Sequence, residues 1–102
     1  MKYETKLSAS EDAALGTVVS LLRDLTLDYG IDIPHDPSVE LQGSLGLDSI
    51  DVAQLSFELE SFYGSSVKLA EYCSRLELDA ISRLSLGDIA RYVASTNKSE
   101  VS

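Results

Sequence analysis

The sequence predicts an all-α domain, a small four-helix bundle with a long loop between its first and second helices. Three observations carry this expectation. Apolar residues recur at the three- and four-residue spacing of helices, and no segment alternates at period two as a half-buried strand does. The only two prolines, Pro34 and Pro37, sit together and leave long stretches free of helix breakers on either side. The 102 residues, 44% hydrophobic and 25% charged, suit one globular domain and not a disordered chain. With no tryptophan, five tyrosines and two phenylalanines, the core must be largely aliphatic.

The elements follow in order. Residues 1–9 read as a loose lead. Ser8 or Ser10 caps a first helix over 10–29, with Glu11 and Asp12 favourably placed in its first turn. Leu15, Val18, Val19, Leu22 and Leu25 form its buried stripe, and Gly30 stops it. From Gly30 to Gly46, Pro34, Pro37, Asp32, Asp36 and Ser38 favour a loop. Ile31, Ile33, Val39, Leu41 and Leu45 are expected to pack it onto the core. A second helix runs over 49–63, roughly 22 Å long, capped by Asp48 or Ser49 and ended by Gly64. Val52, Leu55, Leu59 and Tyr63 mark its core face, while Ile50, Phe57 and Phe62 must point partly elsewhere. Residues 65–84 predict one or two short helices with a turn near Glu77. Ser85-Leu-Gly-Asp88 then reads as a capping box with Asp in place of Glu. It opens a last helix that buries Ile89, Tyr92 and Val93 and ends near Thr96, leaving 97–102 as a tail. One domain over 10–96 accounts for the chain.

The formal net charge of −9 is unevenly distributed. Between Arg23 and Lys68 there is no Lys or Arg, while Asp24, Asp28, Asp32, Asp36, Glu40, Asp48, Asp51, Glu58 and Glu60 fall in that stretch. Such a surface repels nucleic acid and anionic lipid and attracts basic patches on partner proteins. No apolar run approaches the ~18 residues that span a bilayer, and the charged start argues against a signal peptide. Cys73 is the only cysteine, which fits a reducing cytoplasm and a packing role on an apolar helical face. His35, the only histidine, has no Cys or His cluster around it, so no metal site and no acid–base catalysis are expected. Neither a Gly-rich phosphate loop nor a nucleophile elbow is present, so no enzyme activity is expected.

One short stretch stands out. Gly46-Leu-Asp-Ser-Ile-Asp51, preceded by Leu45 and followed by a helix bearing Leu55, Leu59 and Glu60, resembles the attachment motif of the acyl carrier protein family. Ser85-Leu-Gly-Asp88 resembles the opening of that family's last helix, and the resemblance covers about residues 10–96. It implies that Ser49 receives a 4′-phosphopantetheine arm from coenzyme A, placed there by a magnesium-using phosphopantetheinyl transferase, with Asp48 and Leu47 beside it. The arm would carry acyl or aminoacyl intermediates as thioesters, for fatty-acid, polyketide or related secondary-metabolite synthesis.

The physical reason is local. A serine opening a helix is exposed, and the free amides there favour a phosphodiester. Asp48 would repel that phosphate, so it needs another role, such as positioning the transferase's metal or a basic group. The bland alternative for Ser49 is a plain N-cap. Ile50, Asp51, Gln54, Phe57 and Glu58 form the expected partner surface. The bland alternatives are core packing for Ile50 and Phe57 and a solvated face for Asp51, Glu58 and Glu60, which show no compensating Lys or Arg. A nonpolar cargo is expected to shelter between the second and last helices.

The 65–84 stretch is longer than usual for the fatty-acid carriers. There Val67-Lys-Leu69 stands where Ile-Pro is common, with Lys68 and Arg75 adding charge. These departures imply a specialised free-standing member, expected as a monomer that visits a loading ligase and downstream enzymes. The competing reading is an unmodified module with the same fold, acting as a subunit or docking domain.

Overall fold

A computed structural model describes residues 7–97. The parts of the expected lead and tail at 1–6 and 98–102 lie outside the described residues.

The protein is all-α. Among the described residues there is no strand, only an isolated antiparallel bridge between Glu40 and Ser85. Helix α1 spans Ala9–Leu25. Ser8 is its cap: its Oγ accepts from the Glu11 amide at 3.2 Å, and the Glu11 carboxylate accepts from the Ser8 amide at 3.0 Å. The helix ends with the stripe at Leu25, four residues before the expected bound at 29. Thr26 is buried, and its hydroxyl donates to the Leu22 carbonyl at 2.7 Å, a bond that competes with regular helix. A single 3-10 turn, Leu27–Tyr29, follows and closes at Gly30 in the left-handed region, φ 72°.

Residues 31–48 join α1 to α2 along the surface of the core. Ile33, Leu41 and Leu47 are buried, Val39 and Leu45 partly so, whereas Ile31 lies at the surface instead of packing inward. The Arg23 guanidinium donates to the Ile33 carbonyl at 3.0 Å. Further along, the amides of Leu41, Leu86 and Gly87 donate to the carbonyls of Leu84, Val39 and Pro37. This segment is thereby stitched to the start of the last helix by backbone hydrogen bonds without forming a sheet.

Helix α2 spans Ser49–Tyr63 and ends at Gly64, φ 104°. Two short helices follow, α3 at Leu69–Ser74 and α4 at Leu78–Ser82, with Glu77 between them at the expected turn. Helix α5 spans Leu86–Asn97. Ser85 and Asp88 exchange the two hydrogen bonds of a capping box, each 3.1 Å.

Helix α1 packs most extensively on α5 and also on α2, and α2 packs on α3. The shared core is aliphatic, with Leu15, Leu22, Leu55, Leu59, Leu69, Leu86, Ile89 and Val93 all fully buried. Each such side chain contributes about 1.5–3 kcal/mol by leaving water. Tyr92 is only partly buried. Its ring stacks on Tyr72 at 4.5 Å, and its hydroxyl accepts from the Lys68 amide at 2.8 Å. Among the described residues no helix is long and apolar enough to cross a membrane.

Candidate functional site

The start of α2 is built by local sequence. Gly46 takes φ 71°, a left-handed conformation that other residues adopt only with strain, and this turns the chain toward the helix. Leu47 then points inward and is 4% exposed. It seats the chain on the core directly before Asp48 and Ser49. Asp48 is extended and is the cap: its carboxylate accepts from the Asp51 amide at 3.1 Å, and that of Asp51 accepts from the Asp48 amide at 3.1 Å. Of the two cap candidates the aspartate therefore takes the role, which leaves Ser49 as the first helical residue, exposed to solvent.

A residue from elsewhere completes the arrangement. The Tyr29 hydroxyl donates to the second oxygen function of Asp51, its Oδ1, at 2.6 Å. Asp51 is thus held from two sides, by the cap and by the 3-10 turn after α1. The Tyr29 bond is the main reason its carboxyl lies below the ordinary aspartate range, and the same bond with the Asp51 charge keeps the Tyr29 hydroxyl protonated above its usual range. Sequence spacing held no signal for this contact, because the two residues lie 22 positions apart.

The other expected surface residues divide. Ile50, at 73% exposed, and Phe57, at 65%, project into solvent, and so does Gln54. Glu58 is half-buried. Glu60 does have a cationic partner, contrary to the uncompensated face expected: Lys68 Nζ lies 3.6 Å away. The chain folds back after Gly64 and brings that lysine alongside α2.

Beside Ser49 a cleft of about 280 Å³ opens between α2 and the short helices. Val52 and Ala53 of α2, Ala70 and Cys73 of α3, and Ile81 of α4 give it a mostly aliphatic lining, with Ser49 and Gln42 at its margin. This cleft faces the short helices and is distinct from the space between the second and last helices where a cargo is expected to shelter. Burial pushes the Cys73 thiol above its ordinary pKa, so at neutral pH it is protonated and a poor nucleophile. His35 sits at the surface with Nε2 3.2 Å from Asp12 Oδ1, tying the connecting segment to α1. Among the described residues no group of His, Cys, Asp and Glu is arranged to hold a metal ion.

Comparison of the chain with models of known families, with curated proteins and with solved structures finds no match in any of the three.

Proposed function

We propose that this chain is a carrier protein of the acyl carrier type, with Ser49 as the attachment point of a 4′-phosphopantetheine arm. In this reading α1, α2 and α5 are the long members of a four-helix carrier bundle, and the α3–α4 pair fills the remaining place. The observation that carries the proposal is an exposed serine at the first position of α2, inside Gly46-Leu-Asp-Ser-Ile-Asp51, at the margin of an apolar cleft.

The residues present fit the group. The Ser49 hydroxyl is accessible to a transferase, and attack on the pyrophosphate of coenzyme A joins Oγ to phosphorus and releases the nucleotide half. The resulting phosphodiester sits where the first amides of α2 lack carbonyl partners and the helix dipole is positive. Asp48 spends its carboxylate on the cap, which answers why an acid stands next to a site for an anion. When bound, the arm supplies a thiol on which an acyl or aminoacyl group rides as a thioester. Tethering then raises the local concentration of that group at each partner enzyme. The cleft lies near the lower end of the roughly 300–1,000 Å³ typical of small-molecule sites. It suits a short nonpolar cargo or the inner part of a longer one. Partners are expected to present basic patches to the acids around Ser49.

Intact mass after incubation with coenzyme A, magnesium and a broad-specificity phosphopantetheinyl transferase tests the reading. One arm is expected on the wild type and none on Ser49→Ala. A wild-type chain that stays unmodified would instead favour an interaction module that works without the arm.

A further inference from the structure

We propose that the surface read by the enzyme that modifies Ser49 extends off α2 onto the Leu27–Ile31 segment. The occupant is that transferase, presenting an apolar hollow rimmed by lysine and arginine. The inference rests on the carrier reading and deepens it by adding a second contact element.

Exposure comes first. Leu27 is 78% exposed, Tyr29 55% and Ile31 37%, three apolar or aromatic side chains in five residues, and Ile50 next to Ser49 is 73% exposed. Isolated apolar residues at a surface need no explanation, but three within five residues, on a segment bonded to the first turn of α2, do. The two elements are joined: the Tyr29 hydroxyl to Asp51 at 2.6 Å fixes the 3-10 turn against the first turn of α2. A partner that docks over Ile50 therefore meets the Leu27–Ile31 segment in a set orientation and orders little of it on binding.

Charge selects the occupant. Asp28 and Asp48 are exposed and both act electrostatically on Tyr29, and Asp24 and Asp32, also exposed, flank the segment in the chain. Among the described cations only Arg23 stands next to this segment in the chain, its guanidinium turned to the Ile33 carbonyl, and it is outnumbered by the acids there; Lys68, Arg75, Arg83 and Arg91 pair with Glu60, Glu71, Asp79 and Asp88. A second copy of this chain would set acid against acid, and an anionic membrane would be repelled. A cationic rim around an apolar centre matches the pattern.

The test is steady-state arm transfer from coenzyme A by a broad-specificity transferase to the full chain. Wild type is compared with Leu27→Ser, Ile31→Ser, Ile50→Ser and, as an equally exposed apolar control on α4, Leu78→Ser. Leu27→Ser and Ile31→Ser are each expected to lower kcat/KM about fivefold through KM. Melting temperatures should hold, and Leu78→Ser should behave as wild type. Equal kcat/KM for wild type, Leu27→Ser and Ile31→Ser alongside an impaired Ile50→Ser would overturn the inference and leave the carrier reading intact. An equal loss in Leu78→Ser would also overturn it, since the effect would then not be local. If wild type accepts no arm, the carrier reading falls and this inference falls with it.

Discussion

Replacing Asp48 by alanine isolates what holds the start of α2. The substitution removes the carboxylate that accepts from the Asp51 amide at 3.1 Å. Loss of such a cap costs about 0.5–2 kcal/mol. Asp48 is exposed, so the freed amide gains water, and this places the cost near ~1 kcal/mol and not at the upper end. The reciprocal bond from the Asp48 amide to Asp51 survives, as does the Tyr29 bond, so the damage stays within the first turn. In a domain of this size ~1 kcal/mol lowers the melting temperature by about 4–8 °C. With a urea slope of roughly 1–3 kcal/mol/M, the urea midpoint falls by about 0.3–1 M while the slope is unchanged. Asp48→Ser supplies another good cap and loses only the charge–dipole part, about 0.3 kcal/mol for an exposed, salt-screened group. The assay is urea and thermal unfolding of the unmodified protein followed by circular dichroism. An alanine variant as stable as wild type would refute the assignment, and so would a serine variant as unstable as alanine. Arm transfer to Asp48→Ser adds a second readout. Wild-type rates place the role of Asp48 in the cap, and a slow reaction on a stable variant places it also in the transfer step.

Two further outcomes follow from the geometry. Gly87→Ala, ordinarily favourable in a helix by about 1 kcal/mol, is expected to destabilise, because the added Cβ would stand 2.8 Å from Pro37 Cβ and 2.9 Å from the Pro37 carbonyl oxygen. Set against that gain, an overpacking cost of about 1–3 kcal/mol leaves a net loss of up to about 2 kcal/mol and a lowered melting temperature, and a raised one would contradict the contact. Acid stability forms the second. Asp51 is held below the ordinary aspartate range chiefly by Tyr29, and Asp36 chiefly by the Ser38 amide. A carboxyl with a folded-state pKa below its unfolded value of about 3.9 stabilises above that pH and loses the benefit as pH falls through the folded value. The urea midpoint is therefore expected to drop from about pH 5 downward, and to drop less in Asp51→Asn. Identical pH profiles for the two proteins would count against the Tyr29–Asp51 bond.

Much of the fold was legible because it is written in neighbouring residues. The bounds of α2 came from Asp48, Ser49 and Gly64, and the opening of α5 from Ser85 and Asp88, since a cap needs only groups three positions apart. The buried stripe of α1 followed from helical period, with Leu15, Val18, Val19 and Leu22 all in the core. The end of α1 is not written in neighbouring residues, because Thr26 turns its hydroxyl back onto Leu22, and side-chain choice at a buried position depends on what surrounds it.

The sequence alone determined the helical class, the position of Ser49 at a helix start and the acidic character of the stretch around it, for these depend on spacing and composition. Only the tertiary structure decided that Leu47 faces inward, that Tyr29 grips Asp51, that Lys68 meets Glu60 and that an apolar cleft opens between α2 and the α3–α4 pair. Each of these depends on which faces of separate elements meet. The summed burial of many aliphatic side chains sets that choice, and no local pattern encodes it.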